Sequence, residues 1–360
     1  MSVSGKRMRE LVLGIDASTT ACKAILWDLT GRAVAEGRAA LPMLKPRPLW
    51  HEQPADAWWQ ALVTAVHVAL DGQRDLSERI AALCIAPQRE TFVPVDAAGE
   101  PLRHAIVWMD ERCRALLPEI ARDYGLDRVH QETGKPLSGN LALGKIRWLQ
   151  RHDPEVFDRT NKYLDVAAYL IHRLTGLYRT GWGCVDPMGL FDMRSNTWDT
   201  SLLDYLGVAV AQMPEAFPPG TVVGEVTRQA AEATGLRTGT PVVAGVGDGQ
   251  AGGLGVGITA PGQAYLNLGT AVVSGTYSDR YVVDRAFRTM YGSVPGSYSL
   301  ETVLLGGTYT VDWFVEKMLP HALETISDQL TPYDAALDAI PPGAEGLMAV
   351  PYWCEAIQSA

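Results

Sequence analysis

The chain has 360 residues, 47% hydrophobic and 20% charged, the composition of a globular protein larger than one compact core. Its 31 basic and 41 acidic side chains leave a formal net charge of -10, which excludes a nucleic-acid partner held by phosphate neutralisation. Five cysteines without zinc or redox spacing (Cys22, Cys84, Cys113, Cys184 and Cys354) and a basic start with no signal-peptide core point to free thiols in a reducing cytoplasm.

Leu11–Ile15, Cys22–Asp28 and Ala33–Leu41 read as three strands joined by short turns. A helix follows in "EQPADAWWQALVTAVHVAL". Pro54 suits its first turn, Asp56 complements its N-terminus, and Trp58, Leu62, Ala65, Val66 and Ala69 share one apolar face. "RIAALCIAP" is predicted as a buried parallel strand, and "TFVPVDAAGEPL" and "AIVWMD" as further strand edges. Helices are predicted over 112–124, 142–151 and 165–174, and a loop-rich stretch over 176–219.

Near Gly239 a new strand-to-helix unit begins in "TGTPVVAGVGDGQAGGLGVG", so the boundary is set there: one domain over 1–240, a second over 241–360. Between Asp248 and Asp279 no residue is charged. The glycines, Pro261, Gln263 and Asn267 in that stretch fit tight loops and a packed helix, not a membrane span. "QAYLNLGTAVVSGTY" then repeats the pattern of "GIDASTTACKAILWD": strand, small hydroxyl-bearing turn, strand. Two related domains each presenting one turn to a shared cleft would produce this repeat; two ordinary hairpins would as well.

A polyphosphate across such turns would meet backbone N–H groups and Ser or Thr hydroxyls. Asp16 could hold it only through a cation, and Mg²⁺ prefers a carboxylate, waters and phosphate oxygens. Lys23, on the next strand, adds positive charge. A side-chain-capped turn is the plain alternative for residues 16–20. Asp248, between an apolar strand and a glycine-rich helix, reads either as a helix N-cap or as a general base. Gln88, Arg89 and Glu90 interrupt two apolar strands and could grip neighbouring hydroxyls, or form a local ion pair. Trp108 offers an apolar wall or a core position, and Asp110 a hydroxyl acceptor. No GxxxxGK[ST], HExxH or GxSxG motif is present, and histidine metal ligation is unsupported.

Taken in order, "GIDASTT…K", "WHEQPADAWW", "QRETFVPVD", "AIVWMDER", "ETGK…GKIRWL", "GVGDGQAGGLGVG" and "NLGTA" resemble the FGGY carbohydrate kinases, xylulokinase-like and glycerol kinase-like, from about Leu11 to the chain end. The resemblance implies an α/β fold of two actin-like (ribonuclease H-like) ATPase domains around a cleft, the first sugar-binding, the second nucleotide-binding and incomplete. It implies ATP and Mg²⁺, and transfer of the γ-phosphoryl to a terminal hydroxyl of a small sugar or polyol. Asp16 matches the family's metal-linked aspartate, Thr19 and Thr20 its phosphate-contacting threonines, Lys23 an often basic position, and Asp248 its catalytic base. Gly269 and Thr270 match the second phosphate turn. Arg89 and Glu90 match the hydroxyl-gripping pair of glycerol kinases, beside Gln88, and Trp108 the aromatic wall.

Departures bear on the substrate. Ser18 stands where the family has glycine, Asn140 where glycerol kinases have a substrate-contacting tyrosine, and Gly249 where they have glutamine. Xylulokinases carry a Met–His pair in place of Arg89–Glu90. A ketopentose or a four- to five-carbon polyol is the compromise. The ending, "GAEGLMAVPYWCEAIQSA", stops short of the family's adenosine-binding loop, which implies either a fragment of a longer product or a C-terminally truncated chain. A catalytically compromised sugar-binding or interaction module is therefore the alternative function. An actin- or chaperone-like ATPase needs no hydroxyl-lined site at Gln88–Glu90. No membrane partner is expected, and a homodimer is one of the open oligomeric states.

Overall fold

The computed structural model describes residues 9–268, 272–304, 306–307, 310, 313–314 and 339–348. Alternating apolar residues in β1 (Leu11–Ala17), β2 (Ala21–Asp28) and β3 (Ala33–Ala40) build an antiparallel meander. Leu11, Leu13, Ile15 and Ala17 face inward from β1, as period-2 patterning requires. β4 (Ile80–Pro87) pairs parallel to β1, the pairing expected of that buried run. β5 (Val222–Glu225) and β6 (Pro241–Val243) complete a six-stranded sheet in the order β5-β6-β4-β1-β2-β3. Pro241–Val243 pairs parallel to β4, so this sheet extends past residue 240.

Helix α1 (Ala55–Leu70) lies on that sheet and starts after Pro54, as predicted. Its face of Trp58, Leu62, Ala65, Val66 and Ala69 is buried. Each large side chain there contributes about 1.5–3 kcal/mol by leaving water. Helix α2 (Ala142–His152) and helix α3 (Val166–Thr175) agree with the periodicity to within one residue at either end. Asp165 caps α3 by accepting from the Ala167 and Ala168 amides.

The single helix expected over 112–124 is instead a relay. A 3₁₀ turn (Arg114–Leu116) passes into an α-turn (Leu117–Ile120), a π-turn (Ala121–Gly125) and a helix over Leu126–Thr133. Gly125, at φ 107°, breaks the helical path that the apolar spacing suggests. The stretch over 176–219 holds only short elements, yet Leu190, Phe191, Leu202 and Leu203 are fully buried in a second core.

Beyond the first sheet, helix α4 (Asp248–Gly255) leads to an antiparallel sheet of β7 (Ala264–Leu268), β8 (Val272–Ser278), β9 (Arg288–Tyr291) and β10 (Tyr298–Leu304). Its order is β7-β8-β10-β9. β7 and β8 form the expected second hairpin, whose turn lies outside the described residues. Helix α4 is less covered than expected: Gln250 and Gly253 are buried, but Leu254 is exposed.

Candidate active site

A cleft of about 710 Å³ opens between the first sheet and the second. Asp16, Ser18, Thr19, Lys23, Gln88, Arg89, Glu90, Trp108 and Asp248 all line it. Both carboxylates singled out from the sequence therefore face one space. Their proximity is also electrostatic, because the Asp16 charge helps to raise the Asp248 carboxyl.

Asp16 stands near the end of β1, directly opposite Lys23 on β2. Lys23 Nζ reaches Asp16 Oδ2 at 3.1 Å, and both side chains are about a third exposed. The lysine thus tempers the carboxylate while leaving it open to the cleft. Ser18 is fixed by its hydroxyl, which donates to the Ala21 carbonyl at 2.8 Å. Thr20 is exposed and does not line the cleft; its carbonyl accepts from the Leu41 amide. Gly269 and Thr270 lie outside the described residues.

Thr19 belongs to a closed ring of hydrogen bonds. Its carbonyl accepts from Gln53 Nε2 at 2.7 Å, and Gln53 Oε1 accepts from Gln88 Nε2 at 2.9 Å. Gln88 Oε1 accepts from the Thr91 hydroxyl at 3.1 Å, and Thr91 Oγ1 accepts from the Trp108 amide at 3.0 Å. Trp108 closes the ring by donating its indole N–H to Thr19 Oγ1 at 3.0 Å. A buried, mutually satisfied network of this kind rigidifies what it joins. Gln88 thereby acts as scaffold, with both ends of its amide engaged.

Asp248 is the first residue of α4; Gly247 takes the N-cap position and no side chain caps that end. The capping alternative is thus replaced by a carboxylate in the first turn, where the helix dipole favours its charge. Its Oδ1 accepts from the Gly249 amide at 2.8 Å and lies 3.4 Å from Arg89 Nε. Burial among the cleft walls pushes the carboxyl above its ordinary value, while Arg89 opposes the rise. Two nearby glycines are steric necessities. A Cβ at Gly247 would stand 2.5 Å from Arg89 Cγ and Cδ, and one at Gly245 only 2.3 Å from the Ile85 carbonyl oxygen.

Arg89 and Glu90 do not pair with each other. Arg89 Nη1 donates to Glu301 Oε2 at 2.8 Å, and Glu90 Oε1 accepts from Arg288 Nη1 at 2.6 Å. Burial alone would strip charge from Arg89, but Glu301, Glu90 and Asp248 hold it firmly protonated. Glu90 adopts φ 57°, a left-handed backbone that a non-glycine residue keeps only when its surroundings impose it.

Besides Thr20, two predicted positions are not brought to the cleft. Asp110 is fully buried, with Oδ1 bound to Arg112 Nε and the Arg112 amide, and Oδ2 to Arg112 Nη2 and the His51 amide. Asn140 lies behind Trp108 and donates to its carbonyl at 3.3 Å. Lys145 sits beside it, fully buried, with Nζ donating to the carbonyls of Val107, Trp108 and Asn140 at 2.8–2.9 Å. Sequence reading also missed Arg288, Glu301 and Tyr265. Alternation in β10 carries the one available signal: Glu301 shares a buried face with Ser299 and Val303.

Among the described residues, no three His, Cys, Asp or Glu side chains gather to hold a metal. The donor set nonetheless suits Mg²⁺, which binds through one carboxylate plus waters and substrate phosphates. Asp16 lines the cleft with its side chain about a third exposed and could supply that carboxylate. No described helix is long and apolar enough to cross a membrane.

The profile of the FGGY family of carbohydrate kinases, N-terminal domain, matches residues 11–255. The xylulose kinase of Escherichia coli is 32% identical over 310 residues, covering 84% of this chain and 62% of that protein. The glycerol kinase of Thermococcus kodakarensis is 29% identical, covering 88% and 65%. The chain thus spans less than two thirds of these relatives. In fold it is similar to the crystal structure of xylulose kinase from Rhodospirillum rubrum, with a TM-score of 0.89 at 28% identity over 96% of this chain and 70% of that one. Plasmodium falciparum glycerol kinase with ADP shares the fold at a TM-score of 0.79 and 22% identity.

Proposed function

The chain belongs to the FGGY family of carbohydrate kinases, and from that premise we propose that it transfers the γ-phosphoryl of ATP to a terminal hydroxyl of a ketopentose or a four- to five-carbon polyol. One observation carries the proposal: Asp16, near the end of β1, and Asp248, at the start of the helix that follows β6, open onto the same cleft. The expected mixed α/β, actin-like fold supports it.

In this reading Asp248 accepts the proton of the attacking hydroxyl. Its raised carboxyl makes it a stronger base than a solvated aspartate, and Arg89 keeps it ionised. Arg89 and Glu90 orient the acceptor's neighbouring hydroxyls, and Trp108 covers its carbon skeleton. Thr19 and Lys23 face the phosphates, and Asp16 would hold Mg²⁺ through water. The metal, when bound, neutralises the charge on the triphosphate. Residues 1–240 would contribute most of the acceptor side and residues 241–360 the nucleotide side, although β6 joins the first sheet. Among the described residues Cys22, Cys84, Cys113 and Cys184 are free thiols, in keeping with the cytoplasmic location proposed.

A coupled ADP-release screen over polyols and ketoses tests the proposal. Acceptor-dependent ADP release that requires Mg²⁺ is expected; release independent of every acceptor would overturn it.

A further inference from the structure

Beneath the acceptor side of the cleft, four charged side chains close a second ring, this one ionic. Glu301 Oε2 accepts from Arg89 at 2.8 Å, and Glu301 Oε1 accepts from Arg288 Nε at 2.8 Å. Arg288 Nη1 reaches Glu90 Oε1 at 2.6 Å, and Glu90 follows Arg89 in the chain. Two members come from the turn after β4; the other two come from the second sheet. There Arg288 on β9 and Glu301 on β10 stand directly opposite in register. Glu301 and Arg288 are almost wholly buried, at 0% and 3% exposure.

Burying four charges for stability alone is a poor solution, because well-packed apolar side chains usually serve as well or better. What distinguishes this ring is which atoms it occupies and which it leaves. Glu90 Oε1 is taken, and among the described residues Oε2 has no partner. Arg89 uses Nε toward Asp248 and Nη1 toward Glu301 and Gln250; no described residue bonds Nη2. One acceptor and one donor are therefore left over, on two residues that both line the cleft. Two positive and two negative members also cancel, and Asp248 adds a further negative charge, so this side of the cleft is net negative among the described residues and disfavours an acidic substrate.

We propose that Arg288 and Glu301 are positioning residues. They fix Arg89 and Glu90 so that the remaining donor and acceptor meet a neutral vicinal diol, and they make that recognition depend on the second sheet. The proposal rests on the kinase reading for the acceptor's chemistry. It selects neutral polyols and ketoses and rejects sugar acids.

The test uses the whole chain and a panel of glycerol, erythritol, xylulose and gluconate. Calorimetric binding and ADP release are measured for wild type, Arg288→Met and Glu301→Gln, with Arg288→Lys as the conservative variant should either fail to fold. Wild type is expected to bind at least one neutral member and not gluconate. Each variant is expected to weaken that binding, and raise the acceptor KM, by about tenfold or more while the ATP KM stays within about twofold. Arg288→Lys should fall between wild type and Arg288→Met, because an ammonium cannot reproduce the guanidinium fork. Unchanged acceptor parameters, or acceptor and ATP KM rising together, would overturn the positioning role while turnover by wild type left the kinase reading intact. Acceptor binding without turnover in wild type, lost in the variants, would support the positioning role and sink the kinase reading. Gluconate bound as well as the neutral members, or no binding at all, would overturn the proposal.

Discussion

The indole N–H of Trp108 donates to Thr19 Oγ1 at 3.0 Å, so the proposed aromatic wall for the acceptor and the proposed phosphate turn are joined by a direct hydrogen bond. The two residues are 89 positions apart, and the ring through Gln53, Gln88 and Thr91 connects them by the other route as well. A disturbance on one side of the cleft should therefore be felt on the other.

Trp108→Phe tests this coupling. It preserves an apolar wall but removes the donor to Thr19. Both the acceptor KM and the ATP KM are expected to rise, each by about three- to tenfold, the loss of roughly one hydrogen bond. Steady-state kinetics with each substrate varied in turn would check it; an effect confined to the acceptor would break the link.

Gly247→Ala places a methyl 2.5 Å from Arg89 Cγ and Cδ, so the arginine must leave its position. The acceptor KM should rise by about tenfold or more, approaching that of Arg89→Ala, which removes the guanidinium outright. Unchanged acceptor kinetics in Arg89→Ala would take that residue out of the site.

Acid stability follows from Glu301. Burial would raise its carboxyl, but Arg89 and Arg288 outweigh burial and lower it from 4.5 to about 2. A depressed carboxyl contributes stability that is complete above its unfolded value and disappears as the folded group protonates. Unfolding free energy should therefore fall as pH drops from 4.5 toward about 2. Denaturant titrations across that window should show a shallower fall in Glu301→Gln than in wild type.

Lys145→Met leaves the carbonyls of Val107, Trp108 and Asn140 without their shared donor. The Val107 carbonyl keeps the Asp110 amide and the Trp108 carbonyl keeps Asn140, so stability should drop by about 1–3 kcal/mol, chiefly from the Asn140 carbonyl. A urea midpoint unchanged from wild type would show that water or a neighbour replaces the ammonium.

Much of the site was legible because it falls where strands stop. Asp16, Arg89, Glu90 and Asp248 each interrupt an apolar run, and an interruption stands out in one dimension. Helix α1 was legible for the same kind of reason, its apolar face repeating at helical spacing. Asp110 and Asn140 looked equivalent in sequence, but chain direction after the Ala105–Ile106 strand carries Asp110 onto Arg112 and away from the cleft. Arg288 and Glu301 needed the register of β9 against β10, which local spacing does not specify. The relay over 114–133 depended on the backbone of Gly125, a conformation that hydrophobic periodicity does not report.

Phosphoryl transfer by Asp248→Asn tests the site most directly. Asparagine keeps the shape of the side chain and its place at the start of α4 but cannot take a proton. With acceptor and Mg²⁺–ATP saturating, the rate should fall by about 10²–10⁴-fold while acceptor affinity stays within about threefold. A rate within a few-fold of wild type would show that Asp248 is not the base, and that the two facing carboxylates do not make this cleft a kinase site.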